Sequence, residues 1–282
     1  MTGFGETFRG RSPLYMIDGI PQSNPLRDGS RDGYTVDSAV IDRIEVIHGA
    51  SAAQGLGATG GIINFITIAP PAEDGMANQI EVGSEFSDEL NAEGTGFYAS
   101  ATSRYREGAF GYAAALSYKW RPMSYDGDGN LIGIDNTQGD TMNSDTLDYF
   151  GKFVYGLSEN QEVEVLFNHF TLEQDLEYVS VVGDPDSGIP TTSEKGMTPG
   201  KATRNEVTSA NVTYTHEAFM GGALMVNAFY RDFAATYGGG TFGVFAFDGE
   251  RIFDQSQNES EKRGFKISHI RDVVEPLEIG RV

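Results

Sequence analysis

Carboxylates, histidines, glycines and arginines are the residues of this chain that could do chemistry, and their spacing decides what each can do. Asp126-Gly127-Asp128-Gly129-Asn130 starts as a calcium loop does. Its sixth position is Leu131 rather than glycine and its twelfth is Thr137 rather than glutamate, so the sharp turn and the bidentate closing ligand are both missing. The stretch reads as an acidic surface turn. The four histidines, His48, His169, His216 and His269, are spread over a turn and separate strands, with no metal-binding spacing. No serine sits in a Gly-x-Ser-x-Gly elbow. Gly55-Leu56-Gly57-Ala58-Thr59-Gly60 spells G-x-G-x-x-G. That fingerprint holds a dinucleotide only where it opens a helix, and here it runs into Gly61-Ile62-Ile63-Asn64-Phe65-Ile66, a β run without helical period. It reads as a glycine-rich connection between two strands. No enzyme, resident metal or cofactor is expected.

Composition narrows the class. The chain has 282 residues and a net charge of −21, which argues against nucleic-acid binding, since that needs a basic face. The absence of cysteine excludes a disulfide scaffold and a Cys-based zinc site. No run approaches the roughly 18 apolar residues of a membrane helix. That leaves a membrane barrel open, because barrel strands alternate and give only a weak hydropathy signal.

Two apolar, β-branched runs frame the glycine stretch. Ile41 to Ile47 and Ile62 to Thr67 each have strand length and composition. Arg43 and Glu45, two apart on the first run, share one face. Pro70-Pro71-Ala72-Glu73-Asp74-Gly75 follows as a linker. Period-2 alternation then takes over. The clearest face is Tyr112, Ala114, Leu116, Tyr118 and Trp120, opposite the small or polar Ala113, Ala115, Ser117 and Lys119. Leu147, Tyr149, Phe153 and Tyr155 likewise alternate with Asp148 and Lys152, and Val163, Val165 and Phe167 with Glu162, Glu164 and Asn168. Similar runs follow near Thr208, Leu224 and Phe265.

A β-sandwich also alternates. The connections favour a barrel. Arg106 to Phe110, Ser158 to Gln161 and Ala218 to Gly222 are tight, whereas Arg121 to Ser144, Glu173 to Thr203 and Ala235 to Gln257 are long, polar and rich in Gly, Asp and Ser. Short turns on one side and long loops on the other are the habit of outer-membrane barrels.

Arg9-Gly10, Leu14-Tyr15-Met16-Ile17-Asp18-Gly19-Ile20-Pro21, the Ile41-to-Val46 strand, the Gly49-Ala50-Ser51-Ala52 turn, the glycines Gly55, Gly57, Gly60 and Gly61, and Ile63-Asn64-Phe65-Ile66-Thr67 together resemble the plug domain of TonB-dependent outer-membrane receptors. Pro25 to Arg31 resembles the segment seen in receptors for hydroxamate-type and aerobactin-like ferric siderophores. Gln54 stands where many members have tyrosine, and the upstream half of the plug with its TonB box is not in the chain. Nor is a signal peptide, since Met1 to Glu6 has no basic start or apolar core. A fragment is expected.

The resemblance implies an all-β fold with a small mixed α/β plug: a partial transmembrane antiparallel barrel of about eight strands, where plugged transporters have about 22. Residues 1–69 are expected as the later part of the plug, 70–77 as the linker and 78–282 as the first part of the barrel. The resemblance further implies uptake of a ferric siderophore at the cell outer membrane, with the TonB complex, outer-membrane lipid and lipopolysaccharide as partners. Cobalamin, haem or a glycan are alternative cargoes. A non-transporting β-sheet binding or adhesion protein and an inactive remnant are the readings of another class. Arg27 and Arg31 are the ligand candidates, because a guanidinium fork suits the oxygens of an anionic iron chelate. Arg43 and Glu45 are candidates for ion pairs between plug and barrel, and Asp18, Gly19, Gly49, Gly55, Gly57, Gly60, Gly61 and Asn64 carry the plug motif.

Overall fold

The computed structural model describes residues 7–24, 31–49, 57–87, 92–136, 138–242 and 252–271. Two sheets organise them. The smaller holds β1 (Leu14–Ile17), β2 (Ile20–Pro21), β3 (Ile41–His48) and β4 (Gly61–Thr67) in the order β2-β1-β4-β3. β1 runs parallel to β4, and the other two pairings are antiparallel. β1 is buried at all four positions, as its unbroken apolar sequence requires. Leu14 and Met16 pack with Ala58 and Ile62. Asp18 and Gly19 close the β1–β2 hairpin at φ 45° and 78°, the doubly positive pair of a type I′ turn.

The larger sheet is a curved antiparallel wall. Its strands are β5 (Gly75–Phe86), β6 (Thr95–Glu107), β7 (Phe110–Arg121), β8 (Ser144–Ser158), β9 (Gln161–Gln174), β12 (Arg204–Phe219), β13 (Gly222–Phe242) and β14 (Ile252–Ile270), neighbours in that order. A small hairpin, β10 (Tyr178–Val181) with β11 (Thr192–Lys195), rises from the β9–β12 connection. Two-residue turns join β6 to β7, β8 to β9 and β12 to β13 at one end. Met220 and Gly221 in the last of these have φ of 48° and 77°. The long connections lie at the other end. No α-helix occurs among the described residues, so the plug sheet is joined by short 3-10 turns such as Ser38–Val40.

One row of paired residues shows what the outer face is for. Met76, Tyr105, Tyr112, Phe153, Val165, Val212, Ala228 and Phe265 are successive cross-strand partners across all eight strands. None carries a charge. Val165, Val212 and Phe265 are among the exposed large hydrophobics. The adjacent inner positions are small, polar or buried: Ala113, Ser117, Asp148, Lys152 and Asn168. Apolar outside and polar inside is the alternation of a membrane barrel wall.

One expectation is corrected. The stretch from Ala235 to Gln257 is not one long loop. β13 continues to Phe242 and β14 begins at Ile252, with Gly239 to Phe242 paired to Gln255 to Ile252 beyond a bulge. The ladder is carried by backbone groups, so glycine and polar side chains are tolerated once a bulge has absorbed the irregularity.

Candidate functional site

The seam between plug and wall concentrates the buried polar groups. At its base the linker hugs the short-turn end: Arg106 Nε donates to the Pro71 carbonyl at 2.5 Å, and the Gly108 amide donates to Asp74. From there the chain of contacts climbs.

The plug motif forms the next level. Asp18 Oδ1 accepts from the Thr67 amide at 3.0 Å and Oδ2 from the Thr67 hydroxyl at 2.6 Å. The Gly19 amide donates to Asn64 Oδ1 at 3.0 Å. Asp18, Gly19 and Asn64, 45 residues apart in sequence, thus become one turn pinned to β4. Gly60 and Gly61 are there for space: a Cβ on Gly60 would lie 2.4 Å from the Arg11 carbonyl oxygen, and one on Gly61 2.5 Å from that of Ile47. The glycine stretch leads into a strand, as expected. Gly49 and Gly57 have positive φ, and Gly55 lies outside the described residues.

Against this turn stands Lys152 of β8. Its ammonium lies 3.1 Å from Asp18 and 3.8 Å from Glu164, with the lysine side chain 5% exposed. A gap of about 440 Å³ opens here between plug and wall, lined by Asp18, Glu45, Asn64, Lys152 and Glu164 among others. At the register of Lys152 and one step above it, Val40 of the plug is completely buried against Ala113, Ala115, Phe150 and Leu166 of the wall. Asp148 sits beside this patch. It accepts from the Asp37 amide at 2.6 Å and from the side-chain amide of Asn168.

Arg31 marks the upper end. It is 1% exposed. Its guanidinium donates to Gln138 O at 2.5 Å, Asn205 Oδ1 at 2.8 Å, Arg204 O at 2.9 Å and Thr236 O at 3.0 Å, and lies 3.9 Å from the centre of the Tyr237 ring. It therefore ties the plug to three separate wall elements at the long-loop end. Arg27 lies outside the described residues. Arg43 and Glu45 share a face and pair with each other at 2.9 Å, with Asp42 at 3.4 Å from Arg43. All three are exposed. Glu45 also reaches Asn64, at 3.5 Å.

Above the seam the connections build a shelf. Met123, Ile134 and Tyr178 form a small core with Leu131 and Met142. Glu93 and Lys195 pair across it at 2.5 Å, which holds the Glu93 carboxyl below the usual glutamate range. The calcium-like loop is a self-contained turn: Asp126 accepts from the amides of Asp128 and Asn130, and these bonds hold its carboxyl below the ordinary aspartate value. Its position 137 lies outside the described residues. No group of three His, Cys, Asp or Glu among the described residues is arranged to hold a metal.

Sequence reasoning did not single out Lys152, Asp148, Asn205 or Val40. For the first two a signal existed, since each is a charge at an inward register position. Val40 precedes the first strand and carries no such mark.

Comparison with known proteins gives a consistent result. Residues 1–62 match the model of the TonB-dependent receptor plug domain. The ferric aerobactin receptor of Klebsiella pneumoniae is 28% identical over 271 residues, 95% of this chain and 36% of that protein. The rhizobactin receptor of Rhizobium meliloti is 32% identical over 251 residues, 82% of this chain and 31% of that protein. Among solved structures, the siderophore receptor PirA from Acinetobacter baumannii superposes with a TM-score of 0.63 at 15% identity, covering 91% of this chain and 37% of that one. The ferripyoverdine receptor of Pseudomonas aeruginosa superposes at 0.61 and 16% identity, covering 93% and 34%. The chain spans about a third of the length of the curated relatives it matches.

Proposed function

We propose that this chain, which belongs to the TonB-dependent receptors, serves in the uptake of a ferric siderophore across the outer membrane, as plug and first wall strands of that transporter. The observation that carries the reading is the docking of a plug-type sheet inside an alternating eight-stranded wall, pinned from Pro71 to Arg31. Residues 1–69 act as plug, 70–77 as linker, the last three of which already open β5, and 78–282 as barrel. The apolar outer row faces lipid and, nearer the long loops, lipopolysaccharide. The TonB complex supplies the work that rearranges the plug. No covalent step is involved.

Similarity to a ferric aerobactin receptor and to a rhizobactin receptor favours one of these as cargo, and a guanidinium fork suits the oxygens of an anionic iron chelate. Arg27 is the ligand-contact candidate. The two terminal nitrogens of Arg31 are engaged by the wall, so its part in binding runs through holding the plug apex against the loop ends, and contact with ligand would follow from loosening that clasp. The test is titration of the purified full-length receptor with ferric aerobactin and with ferric rhizobactin. Saturable binding of one, weakened by Arg27→Ala, supports the reading. Binding of neither removes it.

A further inference from the structure

The inner face of the wall carries a polar row with a buried arginine at its centre. Asn168, Ser209, Arg231 and Lys262 are successive cross-strand partners on β9, β12, β13 and β14. Arg231 is completely buried, and among the described residues none of its three guanidinium nitrogens has a hydrogen-bond partner. Ser209 Oγ is buried and without one among the same residues, whereas the Asn168 side-chain amide donates to Asp148. Phe233, two residues along the strand, lies under the guanidinium at 4.9 Å and holds its plane.

Two plug residues engage this row. The Ser23 carbonyl accepts from Lys262 Nζ, and Asp32 is the plug carboxylate whose charge acts on Arg231, beside Asp232 of the arginine's own strand. A buried guanidinium without hydrogen bonds is costly, and in the seated state only the charges of Asp32 and Asp232 offset that cost. The same group gains full value once a ligand with anionic oxygens takes the place of the plug.

We infer that Ser209, Arg231 and Lys262 form an anion-binding rung inside the barrel, covered in the resting state and offered to the chelate when Ser23 and Asp32 move away. It is distinct from a site for first capture, because its arginine is closed to solvent while the plug is in place. The inference rests on the uptake function proposed above. Guanidinium supplies a planar fork for carboxylate or hydroxamate oxygens, Lys262 a second charge, and Ser209 a neutral hydroxyl donor.

The test uses the full-length receptor in cells, with radiolabelled ferric aerobactin as probe. Binding is read on de-energised cells and uptake on energised ones. R231Q is expected to leave the binding constant unchanged and to lower maximal uptake about tenfold, the worth of about 1.4 kcal/mol at the rung. R231K keeps the charge but not the fork, and is expected to fall between. Uptake by R231Q at the wild-type rate overturns the rung. So does a parallel loss of binding and uptake in R231Q with full recovery in R231K, which marks a role in plug seating alone. If wild-type receptor neither binds nor imports ferric aerobactin, and does the same with ferric rhizobactin, the uptake reading itself fails, and with it the rung.

Discussion

Lys152 Nζ of the wall lies 3.1 Å from Oδ2 of Asp18 in the plug's hairpin turn, and that same oxygen accepts from the Thr67 hydroxyl. The contact joins the most motif-like turn of the plug to a charge on the fourth wall strand. Removing one partner of a buried pair leaves the other uncompensated, at about 3–5 kcal/mol. Lys152→Ala in the full-length receptor is expected to destabilise plug seating by that order, read as a lower denaturant midpoint for plug release. Lys152→Met combined with Asp18→Asn recovers much of the loss. Equal midpoints for wild type and Lys152→Ala would show that the pair does not hold the plug.

Arg31 makes four charge-assisted hydrogen bonds to the wall, each worth about 1.5–3 kcal/mol before non-additivity. Arg31→Ala is expected to free residues 31–37 and to raise their proteolysis in the folded receptor. Arg31→Lys keeps one point charge and recovers little, because the fork is lost. An unchanged digestion pattern in Arg31→Ala counts against the clasp.

The seam is packed as well as charged. Ala113 is completely buried opposite Val40, so Ala113→Leu has no room and is expected to cost about 1–3 kcal/mol. Phe150→Ala empties the same patch and is expected to cost about 3–5 kcal/mol. Thermal unfolding in detergent measures both. Leu116→Ala, on the outward face of the strand that carries Ala113, is the control and should change little.

Charge placed on the outer row tests its contact with lipid. Val165 lies mid-row among uncharged partners. Val165→Arg is expected to cost about 2–4 kcal/mol in a bilayer and much less in an interior-facing comparison at Thr213. Equal costs at the two sites would contradict the assignment of faces.

The loop shelf should respond to pH. Lys195 holds the Glu93 carboxyl below its ordinary range, so the link contributes above that range and is lost as pH falls through the lowered value. Glu93 in turn raises Lys195, whose contribution stands below the ordinary lysine value and fades only as pH rises through the raised one. The window of full strength therefore spans neutrality. Both groups are well exposed, so the effect is small and weakens with salt. Hydrogen exchange of Tyr178–Lys195, corrected for intrinsic rates, is expected to speed up between about pH 7 and about pH 3. Glu93→Gln should remove that dependence, and its persistence would assign it elsewhere.

Wall strands were legible in the sequence because period 2 and membrane contact act together on residues such as Leu116, Phe153 and Val165. Asp18-Gly19 and Asn64 stood out only through the resemblance to a plug motif, and nothing local said that the turn is pinned to β4 through the Gly19 amide and Asn64. What the sequence hid lies across the seam. Nothing local marks Val40 as the residue that meets Ala113, or Arg31 as bound by carbonyls more than a hundred residues away, because those contacts depend on how two sheets are docked. The length of β13 was hidden for a local reason: its glycines and Thr236 resemble a loop until a partner strand supplies the ladder.

The most direct measurement is iron uptake from ferric aerobactin and, in parallel, from ferric rhizobactin by cells carrying the full-length receptor as their sole route, with and without an energised inner membrane. Saturable uptake that collapses to surface binding when the membrane is de-energised is the predicted result. Uptake that persists without energy, or ligand that is neither bound nor imported, would contradict the account.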